Sequence, residues 1–189
     1  ASPDWAPARY LLGLARAQQD QWREAGAVFE ALHEEALHET GALLGPYYAY
    51  QAARCRLRRG DAEGALAWAV RVPEVAVLGA EAMVIQMNAL TGLQRWGEVA
   101  STAEQFLTRF PKGPGRIEVT FWQAESLRRL GRPAAVVAPL YRSIWAQAPG
   151  QSWAERSAER LEALAVAAKS PAAAAALRTY TAAEYGTRG

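Results

Sequence analysis

Few residues in this 189-residue chain have the types and spacing that catalysis or metal binding requires. Its two histidines, His33 and His38, lie five residues apart in a segment predicted to be helical. At about 100° per residue, that spacing turns the two rings roughly 140° away from each other around a regular helix, so they cannot share one metal ion. We expect both histidines to be solvated surface residues, and we predict no metal site and no cofactor.

The other candidates for chemistry have simpler structural explanations. Cys55 lies among small residues and is predicted to be a buried structural thiol. Glu118 and Glu125 share a helix face, but acid–base catalysis would need a closed, dry cleft, and we interpret both as solvated groove residues. The segment from Lys112 to Arg116 lacks the strand and the lysine–serine/threonine ending of a phosphate-binding loop, which favours a turn. We predict no enzyme here, unless the chain is the non-catalytic part of a larger one.

A basic segment with neighbouring tyrosines is the best candidate for ligand binding. Arg54 lies one helical turn after Tyr50, and Tyr47 precedes both. Arginine beside tyrosine suits carboxylates, sugars or peptide segments. The alternative interpretation is a solvated face whose arginines pair with Asp61 and Glu63.

Composition favours helices and excludes two classes of partner. Alanine and leucine are abundant and isoleucine is rare, so backbone propensity favours helix over strand. With 21 basic and 19 acidic residues, the formal net charge of +2 provides no strong field for capturing nucleic acid or an anionic membrane surface. No segment approaches the roughly 20 consecutive apolar residues of a membrane span. We therefore expect no nucleic-acid partner and no membrane span.

Four segments repeat the order helix, short turn, helix. Their turns are anchored at Asp20, Gly60, Gln94 and Gly131, which gives spacings of 40, 34 and 37 residues. These spacings bracket the period of about 34 residues that is typical of tetratricopeptide repeats. The repeats are predicted at about residues 5–36, 46–73, 79–111 and 116–149, followed by capping helices over residues 151–189.

Small residues in these helices explain how the pairs would pack. Gly13, Ala53 and Ala124 let paired helices approach closely, while larger side chains of the partner helix fill the remaining space. One pair cannot cover its own apolar surface, so neighbouring pairs stack and form a concave face. The predicted fold class is all-α: a right-handed, tetratricopeptide-like α-solenoid of antiparallel helix pairs in a single domain over residues 1–189.

The four helix pairs resemble the tetratricopeptide superfamily, and shorter motifs resemble narrower groups. Residues 60–66 (GDAEGAL) and 140–145 (LYRSIW) look like the helical superdomain that precedes the catalytic part of bacterial soluble lytic transglycosylases. Residues 106–111 (FLTRFP) are similar to repeat proteins of the bacterial cell envelope. Both resemblances imply a location in the periplasm or cell envelope, with the cytoplasm left open as an alternative.

The resemblance implies a non-catalytic scaffold or binding module that holds a protein or peptide in a concave helical groove. The alternative is a peptidoglycan-associated helical domain of a lytic transglycosylase whose catalytic domain lies outside this chain, with peptidoglycan as the partner. In that family the catalytic glutamate belongs to a glutamate–serine motif in a separate lysozyme-like domain. Glu125-Ser126 lies within a repeat helix, so the catalytic role is not assigned to it.

The predicted groove is lined by the first helix of each pair. Its expected partner-binding residues are Tyr10, Tyr47, Tyr50, Arg54, Asn88, Phe121, Glu125 and Arg128. Tyr50 and Arg54 are the predicted centre, because a ligand could stack on the ring while its acidic or carbonyl group meets the guanidinium. The competing interpretation makes Tyr50 a packing residue between pairs and Arg54 a solvated charge.

Overall fold

Helices account for all the regular secondary structure in the computed structural model, which describes residues 5–38, 43–74, 77–168 and 170–176. The predicted all-α class is therefore confirmed for these residues. Packing divides the chain into two units, the first formed by Ala1–Arg95 and the second by Trp96–Gly189. Each unit has a hydrophobic core of its own.

The first unit is a stack of helices in which each packs on its neighbours in sequence. Its helices are α1 (Ala6–Gln18), α2 (Trp22–Ala36), α3 (Gly45–Arg58), α4 (Ala62–Ala69) and α5 (Gly79–Gly92). Because short turns join α1 to α2 and α3 to α4, the members of each pair run antiparallel. Helix α3 also contacts α5, so the first helices of neighbouring pairs lie side by side.

The second unit repeats this arrangement. It contains α6 (Trp96–Arg109), α7 (Arg116–Arg129), α8 (Ala134–Gln147) and α9 (Ser152–Val166), and residues 171–176 are also helical. Helix α7 packs on α6, α8 and α9. The hydrophobic core of the second unit contains Phe121, Tyr141, Ile144 and Leu161, each no more than 3% exposed.

The four anchored turns share one conformation. Asp20, Gly60, Gln94 and Gly131 have φ angles of 59°, 80°, 57° and 73°, all in the left-handed region. In every case the next residue donates its backbone N–H to the carbonyl five residues earlier, at 3.0 Å. This 6→1 hydrogen bond is that of a Schellman motif, which satisfies a carbonyl at the end of the helix and reverses the chain. The four turn assignments are confirmed.

By sequence, the predicted repeats cover α1 and α2, α3 and α4, α5 and α6, and α7 and α8. The third predicted repeat is divided between the units, because α5 belongs to the first and α6 to the second. The predicted capping region contains α9 and the helical residues 171–176. The rest of that prediction, residues 177–189, lies outside the described residues.

Close helix contact at Gly13 agrees with its predicted role. A Cβ atom at this position would lie 2.7 Å from two ring atoms of Phe29, nearer than atoms can approach. Phe29 is itself fully buried, as are Ala53 and Ala124. Helix α1 can therefore lie against α2 only because position 13 has no side chain.

The prediction that both histidines are solvated is wrong for His33. This residue is 6% exposed, its Nδ1 lies 2.9 Å from the carbonyl oxygen of Gly45, and its ring meets Trp68 edge-on at 5.3 Å. Nδ1 must carry the proton, since a carbonyl can only accept. His33 is buried because it extends the stripe of α2 that contains Phe29, while His38 lies beyond that helix and is exposed. Cys55 is buried, as predicted.

Candidate partner-binding surfaces

Five of the predicted groove residues belong to the first unit, and all five are half-buried: Tyr10, Tyr47, Tyr50, Arg54 and Asn88. They lie on α1, α3 and α5. Within this unit, the side chain of Gln51 connects two of them. Its Nε2 atom donates to the Tyr10 hydroxyl at 3.5 Å, and its Oε1 accepts from Arg54 Nη1 at 2.9 Å.

Tyr50 and Arg54 form a polar cluster with Glu81 of α5. Burial raises the pKa of the Tyr50 hydroxyl, Arg54 opposes that change, and Glu81 adds to it. Both charged groups are therefore close enough to Tyr50 to act on its ionisation. Glu81 Oε2 is buried and makes no hydrogen bond within the described residues. Tyr50 also packs partly against the core, which agrees with the competing interpretation of its role.

An apolar cavity of 410 Å³ opens between α1 and the start of α3. It is lined by Pro7, Tyr10, Leu11, Leu44, Tyr47 and Tyr48. The Tyr10 ring is held there by edge contact with Phe29, at a centroid distance of 5.6 Å, and by Tyr48 at 5.8 Å. The first unit thus combines a hydrophobic pocket with a hydrogen-bonding cluster, linked through Gln51.

Other arginines of this basic segment have structural partners, as the alternative interpretation supposed for Asp61, whereas Glu63 pairs with Arg95. Arg56 pairs with Asp61 at 2.8 Å and with Glu30 at 2.7 Å, and Arg59 pairs with Asp61 at 3.0 Å. Asp61 also caps α4 by accepting the backbone N–H of Gly64, which lowers the pKa of this carboxyl more than any other contact. Arg54 is not part of this network.

The second unit corrects the prediction for Phe121. This residue is 3% exposed and packs against Trp122, Tyr141 and Trp153, with ring centroids 5.5, 5.8 and 5.1 Å away. It does not face an open groove. Helix α9, treated at the sequence level only as a cap, covers this part of α7 and supplies Trp153.

Glu125 is likewise no solvated groove residue, because its carboxylate is the centre of a hydrogen-bond network and its side chain is 3% exposed. Arg128 donates to both carboxylate oxygens, at 3.1 and 2.5 Å. Arg129 and Arg160 each donate one bond from Nε, at 3.1 and 3.2 Å, and the Tyr141 hydroxyl donates another at 2.9 Å. Burial alone would raise the pKa of Glu125, but the bonds from Arg128, Tyr141 and Arg129 outweigh it and lower the pKa to about 2.

Arg128, the last predicted residue, lies at a second cavity. This space of 200 Å³ is lined by Arg128, Arg160, Ala163, Leu164 and Ala167, and we call it the α7–α9 cleft. The side chains of Arg128 and Arg160 are 34% and 38% exposed. Arg128 therefore reaches a solvent-accessible surface, and its role in partner binding stays a prediction.

Sequence reasoning missed Arg160, the basic residue that α9 contributes to this cleft, and the pattern on α9 to which it belongs. Arg156 lies over the Trp153 ring at 5.0 Å, and Arg160 follows one turn later on the same stripe of α9. The spacing of these three residues places aromatic and basic side chains on one helix face, and that signal was present in the sequence. The sequence-based prediction assigns this segment only a capping role and therefore does not include the pattern in a binding surface.

Two further classes of site are absent from the part of the chain that the structure describes. No group of three or more histidine, cysteine, aspartate or glutamate side chains could hold a metal ion there. None of the helices in the described ranges is long and apolar enough to cross a membrane.

Two solved structures share the fold of this chain. Both contain nearly identical TPR-like repeats of a kinesin light chain-like protein from Podosopora anserina, one of them as a point variant. Each has a TM-score of 0.65 and 15% sequence identity, and the matches cover 96% of this chain and 95% or 96% of theirs. No protein-family model and no curated protein matches the chain.

At this identity the likeness shows the fold alone, and it confirms the predicted tetratricopeptide-like α-solenoid class. The narrower resemblance to lytic transglycosylases and cell-envelope repeat proteins is not supported by these matches. Function therefore has to be argued from the surfaces themselves.

Proposed function

We propose that this chain is a non-catalytic scaffold that binds a protein or peptide through the surface formed by α1, α3 and α5. One observation carries the proposal: Gln51 hydrogen-bonds both to Tyr10, which lines the apolar cavity, and to Arg54, whose guanidinium has further N–H groups to offer. The helical-repeat fold supports it, because such folds present extended surfaces to other chains.

The chemistry of this surface suits a peptide better than a small metabolite. The cavity of 410 Å³ has a lining of tyrosine, leucine and proline, which matches a large apolar side chain. Arg54 donates one N–H to Gln51, and within the described residues its other N–H groups make no hydrogen bond. Those groups can bind a backbone carbonyl or a carboxylate of the same peptide. Aromatic residues and arginine are the types that contribute most to protein interfaces.

A non-catalytic role also agrees with the environment of Glu125. With a pKa of about 2, this carboxyl group is ionised near neutral pH and cannot serve as a general acid. Its side chain is only 3% exposed and is held by arginines, so a substrate has no access to it.

Peptide selection tests the proposal. Random peptides displayed on phage would be selected on the full-length chain, and affinities of the synthetic peptides would be measured by calorimetry. We expect Tyr50→Ala with Arg54→Ala to weaken binding about 30-fold or more, equivalent to about 2 kcal/mol. Arg54→Ala alone should account for much of the loss, since it leaves the packing of Tyr50 intact.

Arg23→Ala is the matched control, because Arg23 is an exposed arginine of α2 outside this surface. It should leave affinity unchanged. Thermal unfolding of the double variant should show a smaller loss of stability than Phe29→Ala, which empties a core position. Unchanged affinity of a folded double variant would refute this binding surface.

Peptidoglycan binding and a periplasmic or cell-envelope location stay predictions. None of the contacts described above favours a glycan over a peptide. Co-sedimentation of the chain with purified sacculi, run beside the peptide measurements, separates the two: retention that Arg54→Ala abolishes would favour the peptidoglycan alternative.

A further inference from the structure

The Glu125 network contains more positive charge than the carboxylate can neutralise. Arg128, Arg129 and Arg160 all donate to this one group. Three guanidinium groups around a single carboxylate leave two positive charges uncompensated within the cluster. Because the cluster lies partly out of water, that excess is screened less than it would be on an open surface.

Arg160 is only partly engaged. It donates to Glu125 from Nε, and its two Nη groups make no hydrogen bond within the described residues. Arg128 Nε and Arg160 Nε both bond the same oxygen, Oε2 of Glu125, so the two guanidinium groups lie side by side. Glu125 thus fixes their orientation and leaves N–H groups available to a second anion.

The rest of the α7–α9 cleft is apolar. Ala163, Leu164 and Ala167 line it beside the two arginines, and its volume is 200 Å³. That space can hold one apolar side chain, and its lining of alanine and leucine suits an aliphatic one. A ligand that fits must therefore carry an acidic group and an apolar group close together, which is the chemistry of a peptide with a carboxylate beside an aliphatic residue.

We propose that the α7–α9 cleft binds an acidic segment of a protein partner, with a carboxylate held by Arg128 and Arg160 and an aliphatic side chain against Leu164. This inference rests on the proposed partner-binding function and adds a second surface with a stated ligand chemistry. A bidentate carboxylate contact replaces water on both guanidinium groups without disturbing their bonds to Glu125.

The test uses the full-length chain and random peptides displayed on phage. Each selected peptide would be synthesised in two forms, one with its acidic residues and one with Asn or Gln in their place, and Kd would be measured by fluorescence anisotropy. We expect the acidic form to bind about tenfold or more tightly than the amide form. Arg160→Gln should reduce that preference to roughly equal binding, because it removes the carboxylate contact specifically.

Arg129→Gln is the matched control. Like Arg160, Arg129 donates one hydrogen bond to Glu125, but its guanidinium lies over the Trp96 ring at 5.0 Å and does not line the cleft. Each substitution removes one hydrogen bond to Glu125, and only Arg160→Gln should abolish the acidic preference. Thermal unfolding of both variants confirms that the fold is retained.

Several results would overturn the proposal. The first is a phage selection that yields no acidic peptides. The second is an equal effect of Arg160→Gln and Arg129→Gln on the acidic preference. The third is that Arg160→Gln weakens the binding of acidic and amide forms equally. Tighter binding of a single-stranded oligonucleotide, lost in Arg160→Gln, would instead assign the cleft to nucleic acid. If selected peptides lack acidic preference but depend on Tyr50 and Arg54, this inference fails while the proposed function stands.

Discussion

Tyr141 donates a hydrogen bond of 2.9 Å to Oε2 of Glu125, and both side chains are buried in the second unit. Tyr141 belongs to α8 and Glu125 to α7, while Arg160 of α9 bonds the same oxygen. One carboxylate oxygen therefore ties three helices together. A buried charge is tolerated here because every lone pair that faces the interior meets a donor.

Replacing that carboxylate should destabilise the fold. We expect Glu125→Gln to lower the free energy of unfolding by about 2 kcal/mol or more, since it leaves three arginines and a buried hydroxyl without their anion. Glu118→Gln, a substitution on the same helix at a half-buried position, should change it by less than about 0.5 kcal/mol. Urea denaturation followed by circular dichroism measures both, and similar values for the two variants would contradict the structural role of the network.

The free energy of unfolding should also decrease in acid, because Glu125 becomes protonated. The pKa of Glu125 is about 2 in the folded chain, below the ordinary value of 4.5, so the unfolded chain takes up the proton first as pH decreases. The stabilisation is complete above about pH 5 and is lost as pH falls toward 2, with a total on the order of 3 kcal/mol. Urea midpoints across this range should decline less steeply for Glu125→Gln. Parallel profiles for the two proteins would exclude Glu125 as the source.

The contact between Gly13 and Phe29 offers a third prediction. Gly13→Ala should destabilise the chain by about 1–3 kcal/mol, because the new methyl group would overlap the Phe29 ring. Phe29→Leu in the same chain should recover part of that loss, since it removes the ring atoms that clash. Gly97→Ala serves as the control: a Cβ there meets nothing within 4 Å. Additive effects of Gly13→Ala and Phe29→Leu would disprove the overlap.

Much of the fold could be predicted from the sequence because its signals are local. The turns at Asp20, Gly60, Gln94 and Gly131 reverse the chain through residues that are adjacent in sequence, and the flanking helices follow from side-chain spacing. The binding surfaces were predicted less well. Tyr10 and Tyr47 line one cavity, but Gln51, which joins Tyr10 to Arg54, has no distinctive pattern.

By itself, the sequence determined the all-α class, the four inter-helix turns and the close helix contact at Gly13. Only the tertiary structure decided that His33 and Phe121 are buried and that Glu125 serves an internal network. The reason is the sequence separation between the residues that form each feature: the first group is local and the second is not. Arg160 bonds to Glu125 although the two residues are 35 positions apart in sequence. Only the packing of α9 on α7 makes this carboxylate, which the sequence placed on a groove face, a buried and ionised acceptor.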